Sequence, residues 1–151
     1  MFRMRILLLT AVLPVGLGRT AAAQVTTISP SGNPAAMTIS TAVAGFQPTG
    51  VSNSATTYST ANVKSSQPQK ITARLSANMP AGVTLMASLA VNASATSVGA
   101  VSLDVTARNV VINITANQTS QTITYQLSAL VSAGVIASQT RTVTFTIANY
   151  P

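Results

Sequence analysis

QTITYQLSALVSAGV, residues 121–135, alternates two kinds of side chain: Ile123, Tyr125, Leu127, Ala129 and Val131 fall on one side, Thr122, Thr124, Gln126, Ser128 and Leu130 on the other. A period of two over this length marks a strand with one buried face. Almost the same text stands 52 positions earlier as QKITARLSANMPAGV, residues 69–83, with nine of fifteen positions identical. The copies share Gln, Ile-Thr, Leu-Ser-Ala and Ala-Gly-Val; they differ at Lys70, Arg74 and Pro80 against Thr122, Gln126 and Ser132. This pattern predicts a duplicated strand-and-turn unit in which Ile, the residue two after it, Leu and Ala point inward. Gly82 and Gly134 then supply the positive φ of a tight connection.

Outward from these copies the same alternation recurs. It appears in Val83, Leu85, Ala87, Leu89 and Val91, in Val101, Leu103 and Val105, and in Val143, Phe145 and Ile147. Met37, Ile39 and Val43 suggest a first strand, and Thr56 to Asn62 a second. Val110, Val111, Ile112 and Ile114 within Asn109 to Thr115 fit either a strand or one helical turn. Turn signals at 31–34, 47–50, 78–82, 97–99 and 132–134 separate the segments. Seven or eight short strands at this spacing predict an all-β fold, an antiparallel Ig-like β-sandwich.

The first residues read as an address. Arg3 and Arg5 precede a mostly apolar run from Ile6 to Gly18, and Ala21-Ala22-Ala23 offers a cleavage site, so residues 1–23 are expected to be a secretory signal peptide. The expected organisation is then 24–36 as an N-terminal extension and 37–151 as the sandwich, with a secreted, periplasmic or cell-surface location. Cleavage after Ala23 would leave 128 residues carrying Lys64, Lys70, Arg74, Arg108 and Arg141 against Asp104, a net +4 in place of +7. The five cations are scattered and few aromatics accompany them, which argues against nucleic acid as a partner. No later stretch is apolar and long enough for membrane insertion as a helix. The chain has no cysteine, which removes disulfides and a lipidated cysteine anchor.

The inventory is poor in chemistry. With no His, no Cys and one acidic side chain in 151 residues, paired-carboxylate, triad and zinc mechanisms each lack a member, so no enzyme, no metal and no cofactor is expected. Asp104 sits beside Arg108 in sequence and reads as a solvated, paired charge. Lys70 and Arg74 share one outward strand face with Thr72, charges that read first as a guard against unwanted edge pairing and otherwise as a small patch for an acidic polysaccharide. Tyr125 and Phe145 read as core, while Phe46 and Tyr58 read as exposed aromatics available for surface contact. Thr142, Thr144 and Thr146 form an outward row, the ordinary wet face of a strand.

The closing stretch RTVTFTIANYP, residues 141–151, resembles the end of bacterial fimbrial subunits assembled by a chaperone and usher, whose last strand alternates apolar residues before a penultimate Tyr, here Tyr150. The resemblance implies a sandwich completed by the N-terminal extension of a neighbouring subunit, with no catalytic residues. The expected function is an exported, non-enzymatic structural or cell-surface protein; the strand Met37 to Val43 is expected to complete its own sandwich, and assembly with itself or other surface subunits follows only if it completes a neighbour's. The alternative is an adhesion or carbohydrate-binding module that reads its ligand with loops 45–55 and 92–100.

Overall fold

A computed structural model describes residues 25–41 and 45–151; the expected signal peptide and Val43 lie outside the described residues. The strands are β1 (Thr27–Pro30), β2 (Val51–Ala61), β3 (Gln69–Leu75), β4 (Val83–Leu89), β5 (Thr96–Ser97), β6 (Val101–Ser102), β7 (Arg108–Ile114), β8 (Gln121–Ala129) and β9 (Val143–Asn149). They form two antiparallel sheets, a five-stranded one in the order β1-β2-β8-β4-β6 and a four-stranded one in the order β5-β7-β3-β9. Alternation is the cause: in β3, Gln69, Ile71, Ala73 and Leu75 are buried, and Lys70, Thr72 and Arg74 are not. The inward rows of both sheets meet in one core, where Tyr58, Ile71, Leu89, Ile114 and Ile123 are almost fully enclosed.

The two similar segments become β3 and β8, an inner strand of each sheet. Each then crosses to the opposite sheet, β3 into β4 and β8 into β9, and the crossings interlock because β3 pairs with β9 while β4 pairs with β8. Leu75 lies opposite Val143 just as Leu127 lies opposite Leu85. Gly82 and Gly134 have φ of 77° and 65°, the left-handed values a glycine accepts without strain. Gly82 also has no room for a side chain, since an added Cβ would lie 3.0 Å from Ala133 Cβ. The likeness stops at the connections. β3 ends at Leu75, leaving Ala77 exposed where an inward residue was expected. β8 ends at Ala129, and Leu130 and Val131 emerge into a short 3-10 turn, Val131–Ala133, so that Val131 is exposed and not inward.

Arg108 to Ile114 is a strand, and the structure explains its irregular run of apolar residues. Ile71 lies opposite Val111 but Thr72 opposite Asn109, so Val110 is an extra residue on β7; a second shift separates the Gln69–Ile114 and Ile71–Val111 pairs. Such bulges break the two-residue period and turn consecutive side chains the same way. Val110 and Val111 are accordingly both buried.

Other segments depart from expectation near polar side chains. The N-terminal strand is Thr27–Pro30, within the expected extension, and no strand forms over Met37 to Thr41. Pro30 is tolerated because β1 is an edge strand whose last residue need not donate. Beyond it the Asn53 side chain, not a ladder, bonds the Ala35 carbonyl at 3.4 Å, and Met37 packs on the core from coil. After Ser102, Asp104 Oδ1 accepts from Thr106 N at 2.7 Å, a turn that ends β6 early and leaves Leu103 buried but Val105 exposed.

Candidate functional site

Of the four residues expected at the surface, three are there and one is not. Tyr58 is 1 % exposed: it lies on the inward row of β2, and its hydroxyl donates to the Ala90 carbonyl at 2.8 Å. It therefore forms no exposed aromatic cluster with Phe46, which is 69 % exposed. Burial pushes the Tyr58 hydroxyl up to about 12, and Tyr125 is raised for the same reason. Lys70 and Arg74 do share the outer face of β3 with Thr72. Their cross-strand neighbours on β9 are Ala148, Thr146 and Thr144, giving a face of two cations and several hydroxyls.

The sheet edges differ in how they are finished. β5 and β6 are two residues each, and β1 is four residues ending in Pro30. β9 is seven residues, VTFTIAN, with neither charge nor proline. Tyr150 N donates to Pro68 O at 2.9 Å and Ser76 N to Thr142 O at 2.9 Å, so the even-numbered positions of β9 bond β3. The odd-numbered ones, Val143, Phe145, Ile147 and Asn149, aim N–H and C=O away from β3, and among the described residues no strand pairs with them. The Val143, Phe145 and Ile147 side chains are only half covered. β9 thus combines the features that edge strands generally avoid.

A second feature was not foreseen. The connections into β2, β3 to β4, β6 to β7 and β8 to β9 gather at one end of the molecule and are tied together. Gln47 Oε1 accepts from Val131 N at 2.8 Å, Leu130 N donates to Gly82 O at 2.7 Å, and Asn78 bonds both Val105 N and Arg141 Nε. Of the large apolar residues exposed among those described, Phe46, Val105, Leu130 (52 %), Val131 (59 %) and Val135 belong to this end, against Val25 and Val98 elsewhere. The only hint in the sequence was Leu130, an apolar residue on the otherwise polar side of the second copy.

The opposite end is finished with amides. Gln118 is fully buried; its Nε2 donates to Asn92 Oδ1, Ser94 Oγ and Ala116 O, and its Oε1 accepts from Asn92 N at 2.9 Å. Thr60 closes the network, its N donating to Gln118 O and its Oγ1 accepting from Gln118 N. Loops 45–55 and 92–100, expected to read one ligand together, therefore stand mostly at opposite ends.

Near the apolar end lies a shallow depression of about 330 Å³, lined among others by Asn78, Met79, Leu103 and Asp104. Its carboxylate is engaged: Arg108 Nη2 lies 2.5 Å from Asp104 Oδ2, and this hydrogen bond holds the Asp104 carboxyl below its ordinary value. Among the described residues no group of three or more His, Cys, Asp or Glu is placed to hold a metal ion, and no helix is long and apolar enough to cross a membrane. What the arrangement offers is contact: an open strand edge, a hydroxyl-and-cation face, and an end with apolar tips. Comparison with protein-family models, curated proteins and solved structures returns no match for this chain.

Proposed function

We propose that this chain is an exported, non-enzymatic structural subunit of Ig-like β-sandwich type that assembles at the cell surface by strand addition along β9. One observation carries the reading: the outer edge of β9 is seven residues long, uncharged and proline-free, above a half-covered apolar row. An extended segment laid along it would satisfy the outward N–H and C=O groups of four residues and cover Phe145 and Ile147. Residues 1–23 would direct export, and β1, which pairs with β2 and lies close to β9 without bonding it, would leave the backbone groups of the β9 edge as the joint. The test is the size distribution of the exported protein, with negative-stain images of the same sample. Assemblies are expected, and Thr144→Lys with Thr146→Lys, both exposed side chains on β9, should reduce them to monomers. A wild-type chain that stays monomeric at high concentration while keeping its β structure would sink the reading.

The alternative function, an adhesion module for an acidic polysaccharide, is favoured by the outer face of Lys70, Thr72 and Arg74 beside Thr144 and Thr146. Lys70→Gln with Arg74→Gln would then abolish retention on an acidic polysaccharide matrix and leave assembly intact.

A further inference from the structure

The apolar end poses a problem independent of β9. Phe46, Leu130, Val131 and Val135 stand out from loops that hydrogen bonds hold together, so their exposure belongs to the built end and not to a fraying tail. The charges around them sum to a positive net: Arg74, Arg108 and Arg141 against Asp104. Arg74 closes β3 at this end, and Arg141 bonds only neutral acceptors: the Asn78 and Thr140 carbonyls and the Gln139 side chain. Asp104, the only acidic side chain in the described residues, is already matched by Arg108. Apolar tips at an end that also carries two arginines without an acidic partner, Arg74 and Arg141, complement a surface that is apolar within and anionic at its boundary. A second copy docked through the same end would bring Arg74 and Arg141 toward like charges.

We infer that this end docks on the surface of an anionic lipid bilayer, with Phe46, Leu130, Val131 and Val135 entering the headgroup boundary and Arg74 and Arg141 facing lipid phosphates. This is adsorption by loop tips, distinct from a membrane span, and it leaves the β9 edge free.

The chain contains no tryptophan, so a single introduced indole reports its own surroundings. Phe46→Trp and Val135→Trp place one at the apolar end, and Val98→Trp places one in an exposed turn away from it. In the full chain with phosphatidylglycerol-containing vesicles, the first two should shift to the blue and be quenched by brominated acyl chains, and the third should do neither. Because the signal is positional, lipid contact through the apolar stretch at residues 6–18 does not mimic it. Arg74→Gln and Arg141→Gln should each weaken binding about fivefold. Equal shifts at all three positions, no shift at Phe46→Trp and Val135→Trp, or undiminished binding without both arginines would overturn the proposal. So would a blue shift that tracks protein concentration without vesicles, which would mark a contact between copies.

Discussion

The two ends of this molecule are built from the same few residue types and finished in opposite ways. At one end Gln118 turns inward, its side-chain amide tying Asn92 and Ser94 and its backbone tying Thr60 into a closed network. At the other, backbone bonds and the Gln47 and Asn78 side chains fix the loops, but Phe46, Leu130, Val131 and Val135 are left in solvent. A buried amide is tolerated only when its donors and acceptors are met, so the first end is specified by hydrogen bonding. The second lacks that constraint on its tips, and its exposed apolar groups are the more informative for function.

The largest effect should come from just beneath the apolar end. Leu75 is buried at the last position of β3, and Leu75→Ala should lower unfolding free energy in denaturant by about 2–5 kcal/mol. Leu127→Ala, at the partly covered counterpart on β8, should cost less. Equal small losses at both would mean that the looseness of this end reaches the core, and the contrast between ends would fail. Next comes Gln118→Ala, which strands the Asn92 amide N–H and should cost about 1–3 kcal/mol in the same assay. If it were neutral, the amide end would be no better specified than the apolar one.

Tyr58 sharpens the contrast through pH. Its hydroxyl, bonded to Ala90 near the amide end, titrates in the fold at about 12, above the ordinary tyrosine value of 10.0. Above that ordinary value the unfolded chain loses this proton while the folded chain keeps it, so stability falls as pH rises from about 10 toward 12. Tyr58→Phe should cost about 1 kcal/mol at neutral pH and flatten the alkaline fall; an unchanged slope would remove Tyr58 from its cause. The smallest effects belong to the apolar tips. Phe46→Ser and Val135→Ser should change stability by less than about 0.5 kcal/mol, as exposed positions do, and a larger loss would mean that the tips are structural.

Where one face of a strand is wholly or partly buried along a regular run, the alternation of residues was enough to find it. Ile71 to Leu75, Val83 to Leu89, Ile123 to Leu127 and Val143 to Ile147 all lie in strands with the expected side chains inward. Ambiguity came from residues whose roles are set across the chain. Val110 and Val111 share a direction because β3 imposes a bulge, and Tyr58 is buried because β2 lies beside β8, facts that no local period contains. The strand expected over Met37 to Val43 does not form over its described residues, Met37 to Thr41, where Met37 packs on the core from coil. Surface features were harder still. Lys70 and Arg74 were placed by counting, but the openness of β9 and the gathering of Phe46 with Leu130 follow from which strands end a sheet and which loops share an end.

The interlocked pairing also sets a timetable. β3 has β9 as one of its two neighbours, so the four-stranded sheet cannot be completed until Val143–Asn149 is available. At a synthesis rate of about 5–20 residues per second, roughly 4–15 s separate the emergence of Leu75 from that of Asn149. Through that interval a nascent chain carries β3 with one edge unmet, and pairings between such distant segments are slow to close even afterwards. A polypeptide whose four-stranded sheet waits for β9 stays open and sensitive to proteases for longer. Stalled nascent chains should accordingly gain protease resistance only once Asn149 has cleared the ribosome tunnel; resistance in chains that lack β9 would show that the rest of the molecule keeps its own schedule.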